Sequence, residues 1–207
     1  MNTTMITTKI AELSEGHDRF LVGIAGPPGA GKSTLAQTLH EEIARLGLTS
    51  RVVPMDGFHL DNKVLDERGL RQRKGAPETF DGNGFVDLVT RLDKGESPVS
   101  IPGFDRASDA VVPDQDEILF RHKILLIEGN YLLLKSDPWY RLADMFDLTI
   151  FINPGLPELE NRLVQRWIDN GFDQAGAENR AHMNDIPNAK TVLVHSITAD
   201  IEIGETG

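Results

Sequence analysis

Apolar and polar positions follow one another along the chain in blocks that predict alternating strands and helices. The apolar run Phe20–Ala25 ends at a Gly and a Pro and is typical of a buried strand. Apolar residues then recur at helical spacing over residues 32–46, and Gly47 ends this predicted helix. Short apolar runs predict further strands at residues 51–53, 124–127 and 146–152. Strands that alternate with helices predict an α/β fold with a mainly parallel sheet covered on both faces.

The segments between and after these blocks are less regular. Residues 71–81 are polar and contain Gly75 and Pro77, so a loop is expected there. The segment 97–114 holds short β-like pieces between prolines, and residues 175–190 are either helical or looped. Helices are predicted over residues 62–70, 85–92 and 156–170, and the last strands over residues 192–194 and 199–203.

The length of the chain fits one domain over residues 1–207, with a lid and its following helices at about 157–190. Residues 1–18 are expected to form a polar, frayed tail. The start of the chain does not resemble a signal peptide, because no basic region precedes an apolar one. No apolar run approaches the ~20 residues that a membrane-spanning helix needs. These features predict a cytoplasmic protein without a membrane partner.

The composition excludes several classes of site and partner. The chain has no cysteine, which excludes disulfides, thiolate zinc sites and a cysteine nucleophile. Its 32 acidic and 21 basic residues give a net charge of −11, which disfavours nucleic acid as a partner. The six histidines show no ligand-like spacing, so a protein-bound transition metal is not expected. The oligomeric state stays open, a homodimer included.

The segment after the first strand carries the strongest chemical signal. Residues 26–34 read GPPGAGKST and match the Walker A pattern G-x-x-x-x-G-K-[ST] between a buried strand and a helix. Glycines allow consecutive backbone N–H groups to surround phosphate oxygens, a lysine reaches the β and γ phosphates, and a serine hydroxyl ligates Mg²⁺. The predicted ATP-binding residues are Gly26, Pro27, Pro28, Gly29, Ala30, Gly31, Lys32, Ser33 and Thr34.

Other nucleotide-binding classes fit the sequence less well. A regulatory GTPase needs Asn-Lys-x-Asp, but the nearest string, residues 62–65, reads NKVL. The Leu-Ser-Gly-Gly signature of transporter ATPases is absent, and the glycines do not have the G-x-G-x-x-G spacing of a dinucleotide site.

Two carboxylates follow predicted strands. Asp56 comes after the strand at 51–53, and Glu128 directly follows the strand at 124–127. Ligands of open parallel sheets bind beyond the carboxyl ends of the strands, so both groups are expected beside the phosphate loop. One carboxylate can hold Mg²⁺ while the other orients an acceptor hydroxyl and takes its proton. The competing interpretation is that each only caps a turn.

Four motifs after the phosphate loop add a family resemblance. Residues 55–59, 73–81, 102–106 and 127–131 read MDGFH, RKGAPETFD, PGFDR and IEGNY. In this order they resemble the uridine kinase, phosphoribulokinase and bacterial pantothenate kinase family. The chain looks most similar to the pantothenate-kinase-like proteins often named fructose transport system kinases. The resemblance spans about residues 20–203 and is specific for the family but weak for the substrate.

The resemblance implies an α/β, three-layer P-loop NTPase fold with a mainly parallel central sheet and a helical lid. It implies that Asp56 is the base facing the acceptor hydroxyl and that Glu128 belongs to the Mg²⁺ site with Ser33. It also implies that lid arginines contact phosphates. True uridine kinases resemble Asp-Ser-Phe-Tyr where residues 56–59 read DGFH. They also carry a His-Ser-Arg element where residues 107–109 read ASD. Both departures concern the acceptor.

The lid helix supplies two candidate phosphate ligands. Arg162 and Arg166 are four residues apart and share a face of the predicted helix 156–170. They can clamp a transferring phosphoryl group, Arg166 as a catalytic residue and Arg162 as an ATP ligand. Pairing with Glu158 or Asp169 is an equally good interpretation. In related kinases the adenine lies near the corner that holds Asn188, which makes Asn188 a candidate base contact.

Candidate acceptor ligands lie in the same family-like motifs. The aromatic and histidine side chains can line the pocket or simply fill the core. Lys74 is favoured over Arg68 and Arg71, for which a solvated basic surface is the better interpretation. The candidate set is Asp56, Phe58, His59, Lys74, Phe104, Asp105, Arg106 and Tyr131.

These observations predict an ATP- and Mg²⁺-dependent kinase that moves the γ-phosphoryl group to a hydroxyl of a small metabolite, a sugar or a pantothenate-like compound. Lys32, Asp56 and Arg166 are the predicted catalytic residues. The alternatives are a uridine-type nucleoside kinase and a regulatory protein that binds ATP without catalysis.

Overall fold

The computed structural model describes residues 2–204. Seven strands form two sheets in this part of the chain. The strands are β1 (Phe20–Ala25), β2 (Ser50–Pro54), β3 (Val99–Asp105), β4 (Ala110–Ile118), β5 (Ile124–Gly129), β6 (Leu148–Asn153) and β7 (Ile201–Gly204). Five of them form a parallel sheet in the order β2–β5–β1–β6–β7, and β3 pairs with β4 as a separate antiparallel hairpin.

The parallel sheet is buried on both faces, and its alternating side chains enter two separate cores. Leu21 and Leu125 belong to the core under one face, while Val22 and Leu126 belong to the core under the other. Successive side chains of a strand point to opposite faces, so continuous apolar strands need a cover on each side. The predicted three-layer α/β fold is confirmed.

Seven α-helices accompany the sheet in the described residues. They are α1 (Thr3–Leu13), α2 (Lys32–Arg45), α3 (Asn62–Glu67), α4 (Gly82–Asp93), α5 (Leu156–Asp169), α6 (Gln174–Arg180) and α7 (Ile186–His195). A π-helical turn, Ala181–Asp185, joins α6 to α7, so the segment 175–190 is helical. The loop predicted at 71–81 contains two short 3-10 turns, Arg71–Arg73 and Pro77–Thr79.

Two local predictions were wrong. The expected polar tail is largely the helix α1, which begins at an Asn2 cap and buries Ile6 and Ile10 against the α2 side of the sheet. Met1 lies outside the described residues. The strand expected at residues 192–194 belongs to α7, where Val192 is buried and the helix starts with Pro187 in its first turn. Proline favours that position, and tertiary packing overrides the β-propensity of a Val-Leu-Val run.

The α1 helix gives a direct test of the corrected fold. We expect Ile10→Ala to lower the free energy of unfolding by about 3 kcal/mol, because it removes a fully buried side chain and leaves a cavity. Urea unfolding measures this change. Leu13→Ala, at the exposed end of the same helix, should change the free energy by less than ~1 kcal/mol. An equally small effect of Ile10→Ala would contradict the docking of α1.

Among residues 2–204, no helix has both the length and the apolar character that a membrane crossing requires.

Candidate active site

The phosphate loop connects the carboxyl end of β1 to the first turn of α2. Gly26 has a φ of +153°, and a Cβ there would lie 2.6 Å from the carbonyl oxygen of Ile152. The close approach of β6 therefore requires glycine at this position. Gly31 precedes α2, so the free N–H groups of the first helical turn point toward the space that the loop surrounds. The sequence match thus has the backbone geometry of an anion site.

Lys32 lies inside this loop. Its side chain is buried, and its Nζ donates a hydrogen bond to the carbonyl oxygen of Pro27 at 3.0 Å. Burial lowers the pKa of Lys32 to about 8, although the negative charges of Glu128 and Asp56 oppose that shift. A buried ammonium that has only one protein hydrogen bond is well suited to an anionic ligand.

Ser33 and Glu128 form the second polar pair of the site. The Ser33 hydroxyl donates to Glu128 Oε1 at 3.0 Å. Glu128 is the penultimate residue of β5 and is buried. Burial raises its pKa, while Lys32 and the Ser33 hydrogen bond act in the opposite direction. A hydroxyl and a carboxylate are hard oxygen ligands of the kind that Mg²⁺ prefers, so the pair fits that ion.

Asp56 lies two residues beyond the end of β2, in a 3-10 turn over Met55–Phe58. Its Oδ2 accepts a hydrogen bond from Nη2 of Arg106, on the β3–β4 hairpin, at 2.9 Å. A Cβ on Gly57 would lie 2.3 Å from the carbonyl oxygen of Pro102, so only glycine lets β3 approach this turn so closely. The hairpin and the strand-end carboxylate therefore meet at one point.

His59 follows the same turn and lies between two aromatic rings. Its ring centroid lies 4.1 Å from that of Phe80 and 4.6 Å from that of Phe104. His59 Nδ1 donates to the carbonyl oxygen of Asp56 at 2.8 Å, which leaves Nε2 as the acceptor of a neutral ring. Burial lowers the pKa of His59 and favours that neutral form.

These groups line one cleft of about 860 Å³ at the carboxyl ends of the parallel strands. A cleft of this size is in the range of small-molecule sites. The structure brings together most of the predicted site residues, and those that line the cleft are Pro28, Gly29, Gly31, Lys32, Ser33, Thr34, Asp56, His59, Lys74, Phe104, Arg106, Glu128, Arg166 and Asn188.

Three predicted acceptor ligands lie away from the cleft. Tyr131 is fully buried in the core, and its hydroxyl donates to the carbonyl oxygen of Gly75. Phe58 packs against the same core, with its ring 5.1 Å from that of Phe85. Asp105 is exposed and accepts from Ser108 and the Ala107 N–H in the hairpin turn. Tyr131 and Phe58 therefore fill the core, as the competing interpretation of the aromatic residues proposed.

The two arginines of α5, Arg162 and Arg166, are both paired. Arg162 donates to Glu158 at 2.7 Å and to the carbonyl oxygen of Gly29 at 3.3 Å, so it contacts the phosphate loop from outside. Arg166 pairs with Asp185 of the π-helical turn at 3.0 Å, and not with Asp169, the partner named in the competing interpretation. Arg166 lines the cleft, whereas Arg162 does not.

The cleft also contains residues that were not predicted as site residues, although Gly75, Phe80, Gly129 and Asn130 lie inside the quoted motifs and Arg71 was interpreted as part of a solvated basic surface. The full set is Arg71, Gly75, Phe80, Asp109, Gly129, Asn130, Trp167, Asn170, Arg180 and Asp185. Asn130 lies within the IEGNY motif, so that motif could have identified it. No spacing signal connects Asp109 or Asp185 to the phosphate loop, since only the folded chain brings them there.

Comparison with known proteins agrees with this geometry. The model of the phosphoribulokinase / uridine kinase family matches residues 21–186. The chain is 36% identical over 194 residues to YggC, an uncharacterized protein of Escherichia coli (strain K12), covering 91% of this chain and 80% of that protein. It is 33% identical over 151 residues to the pantothenate kinase of Rhodococcus opacus (strain B4), covering 72% of this chain and 48% of that enzyme. The chain thus spans about half the length of that pantothenate kinase.

Among solved structures, a putative fructose transport system kinase from Silicibacter sp. TM1040 superposes with a TM-score of 0.93. It is 41% identical in sequence, and the superposition covers 98% of each chain.

Proposed function

The chain belongs to the phosphoribulokinase / uridine kinase family and is a kinase, and from that premise we propose that it transfers the γ-phosphoryl group of ATP to a hydroxyl of a small metabolite. The observation that carries this proposal is the shared cleft of Lys32, Ser33, Glu128 and Asp56. A triphosphate site and a carboxylate that can accept a proton open on the same space. That combination is what phosphoryl transfer to an alcohol needs.

Each side chain has a distinct part in the proposed reaction. Lys32 binds the β and γ phosphate oxygens and stabilises the charge that develops on the transferred group. Asp56 orients the acceptor hydroxyl and takes its proton as the new P–O bond forms and the bond to ADP breaks. Arg166, on the lid helix α5, reaches the transferring group with guanidinium N–H groups that its ion pair with Asp185 leaves free.

We propose Ser33 and Glu128 as the protein groups that hold Mg²⁺, either directly or through water. Mg²⁺ supplies neutralisation of the phosphate charge when it is bound. It keeps several water ligands in most sites, so two protein oxygens beside the phosphates suffice.

The acceptor half of the cleft combines Asp56 and His59 Nε2, both hydrogen-bond acceptors, with the apolar ring of Phe104. Such a wall suits a compound that has both hydroxyl groups and an apolar carbon framework. We propose a sugar or a pantothenate-like compound, in line with the names of a pantothenate kinase and a fructose transport system kinase among the similar proteins.

An acceptor panel tests this function. ADP release from Mg·ATP is measured with hexoses, pentoses, their phosphates, pantothenate and nucleosides added one at a time. Stimulation by a sugar or by pantothenate supports the proposal. Stimulation by nucleosides alone would establish a nucleoside kinase instead. Tight binding of ATP without stimulation by any small hydroxyl compound would favour the regulatory alternative.

The proposed Mg²⁺ site predicts a shifted metal requirement in Glu128→Gln. We expect the Mg²⁺ concentration for half-maximal ATP turnover to rise by about tenfold or more, because the amide carries no charge for the cation. Turnover is titrated with Mg²⁺ at fixed ATP. Glu12→Gln, an exposed change of the same type on α1, serves as the control. Overlapping titrations of Glu128→Gln and the wild type would remove Glu128 from the metal site.

The lowered pKa of Lys32 predicts a pH-dependent affinity for nucleotide. The ligand-free ammonium loses its proton as the pH rises through about 8, whereas bound phosphates favour the charged form. Above about pH 8, nucleotide binding is therefore accompanied by uptake of a proton on Lys32. We expect the association constant of a non-hydrolysable Mg·ATP analogue to be flat below pH 8 and to fall by up to about tenfold per pH unit above it. Calorimetry measures this dependence, and Lys32→Arg should abolish it because arginine stays charged. A flat wild-type profile to pH 9.5 would contradict the prediction.

A further inference from the structure

Lys74 is a basic residue on the acceptor side of the cleft, yet the structure leaves it no free donor. Its Nζ donates to Asn62 Oδ1 at 2.7 Å, to Asp109 Oδ1 at 2.7 Å and to the carbonyl oxygen of Asp109 at 3.1 Å. An ammonium group has three donors, so all three are satisfied within the protein. The side chain is also only 12% exposed. Lys74 therefore binds another part of the chain rather than a ligand.

The part it holds is the turn of the β3–β4 hairpin. Asp109 lies in this turn with a φ of +52°, a left-handed conformation that is uncommon for a residue other than glycine. Asn62 donates to the same carboxylate and carbonyl group. Burial acts to raise the pKa of Asp109, but the hydrogen bonds from Lys74 and Asn62 lower it and keep the carboxylate charged.

The same turn carries Arg106, which contacts the candidate base Asp56. Arg106 lies only three residues before Asp109. Residues 105–109, called the hairpin tip below, therefore have two anchors in the cleft. One is the contact of Arg106 with Asp56, and the other is the contact of Asp109 with Lys74. The Lys74 ammonium also lies 5.0 Å from the ring centroid of Phe104, the residue that precedes the tip.

The backbone around Lys74 is held in turn by the lid. Asn184, in the π-helical turn, donates from Nδ2 to the carbonyl oxygen of Lys74 at 2.8 Å. Arg180 donates to the carbonyl oxygen of Gln72 at 3.3 Å. Asn184 is 3% exposed, and its amide has few other partners, since only Asn188 donates to it at 3.4 Å. π-helical turns inside helices occur frequently at functional sites.

The residue after Asn184 connects this contact to the phosphate side of the cleft. Asp185 forms an ion pair with Arg166 at 3.0 Å and accepts a hydrogen bond from Trp167 Nε1 at 2.6 Å, and both partners lie on α5. A continuous series of contacts thus connects Arg166, the candidate phosphate ligand on α5, to Asp56, the candidate base. The series passes through the π-helical turn, Lys74 and the hairpin tip.

We propose that Asn184 and Lys74 are positioning residues that couple the lid to the hairpin tip. The proposal rests on the proposed function, because nucleotide is the ligand that orders Arg166 and its partner Asp185. Ordering of Asp185 fixes Asn184, which fixes the backbone of Lys74. Lys74 then holds Asp109 and, through the tip, keeps Arg106 at Asp56. Nucleotide bound on the phosphate side thereby stabilises the acceptor side of the cleft.

Amide hydrogen exchange of the full-length chain tests this coupling, with and without a non-hydrolysable Mg·ATP analogue. In the wild type, nucleotide should slow exchange in the phosphate loop, in α5 and in the hairpin tip. In Asn184→Ala, the phosphate loop and α5 should still be protected, but the protection of the tip should fall by about twofold to tenfold, the range of one lost hydrogen bond. Lys74→Met should give the same loss from the other end of the series of contacts.

Gln165→Ala is the matched control, since it removes an amide hydrogen bond to Asp169 on the exposed side of α5. It should leave protection of the tip unchanged. Exchange in α1, remote in sequence from the lid, reports any global loss of stability. Full protection of the tip in both Asn184→Ala and Lys74→Met would overturn the coupling. A wild type whose phosphate loop is not protected by nucleotide would overturn the proposed function, and the coupling with it.

Discussion

Lys32→Ala should lower the rate of phosphoryl transfer by about 10³-fold or more. The change removes the only ammonium that lies inside the phosphate loop of the described structure, where it is buried and has a single hydrogen bond to Pro27. Loss of one preorganised charge-stabilising group commonly costs about 10²- to 10³-fold in turnover, and a cationic group on a transferring phosphoryl has been worth about 10³- to 10⁵-fold. The initial rate of ADP release at saturating acceptor measures the effect.

In Lys32→Ala, nucleotide binding in the ground state should weaken less than the transition state of the transfer. Backbone N–H groups of the loop and the first turn of α2 still bind phosphate oxygens, so the affinity for nucleotide should fall by a smaller factor than the rate. Lys94→Ala, an exposed change of the same type after α4, controls for general effects of losing a lysine. An undiminished rate in Lys32→Ala, beside a folded chain, would exclude this loop as the site of transfer.

Asp56→Asn should separate nucleotide binding from transfer. The amide keeps the shape of the carboxylate but cannot take the proton of the acceptor hydroxyl, and general base catalysis typically contributes about 10²- to 10⁴-fold. We expect turnover to fall within that range while the affinity for a Mg·ATP analogue changes by less than about threefold. Steady-state rates and calorimetric titration measure the two effects on the same preparation.

Asp56 also contacts Arg106, so the Asp56→Asn experiment needs a variant of Arg106 as a control. Asp56→Asn weakens the 2.9 Å contact with the Arg106 guanidinium, so part of the loss can come from the hairpin tip. Arg106→Gln removes the same contact and leaves the carboxylate, so it should lose less turnover than Asp56→Asn. Asp144→Asn, an exposed change, should have no effect. Normal transfer by Asp56→Asn would move the base elsewhere, and Glu128 is then the next candidate.

The phosphate loop could be predicted because its chemistry is local. Nine consecutive residues between a strand and a helix determine the backbone conformation, so the sequence contains nearly the whole phosphate side of the site. Asp56 and Glu128 could be predicted almost as well. The order of the elements implied a parallel sheet, and the carboxyl ends of parallel strands share one edge.

The acceptor side could not be predicted in the same way. Lys74, Asp109 and Asn184 are far apart in sequence, and each contact among them depends on where the hairpin and the lid pack. Tyr131 shows the opposite error, because it was predicted to line the pocket but lies in the core. It follows the Glu128 strand end as a pocket residue would, but its side chain turns into the core, and its hydroxyl is satisfied by Gly75.

The helix α1 shows that weak patterns also mislead. Its polar sequence has only a few apolar positions, and two of these, Ile6 and Ile10, are four residues apart. Side chains at that spacing share one helical face, so a short stripe was enough to pack the segment against α2. Asn2 caps the helix by accepting a hydrogen bond from the Met5 N–H, but a single polar residue before a short apolar stripe is a weak signal in a sequence.

The destination of the γ-phosphoryl group decides whether this chain phosphorylates a small hydroxyl compound. The chain is incubated with ATP labelled in the γ phosphate, Mg²⁺ and the pooled hydroxyl compounds of the acceptor panel, and the products are separated. We expect a labelled organic phosphate ester that forms with the wild type and is absent with Lys32→Ala. Label that stays in ATP, or leaves it only as inorganic phosphate while nucleotide binds the loop, would contradict the proposed transfer to a small hydroxyl compound.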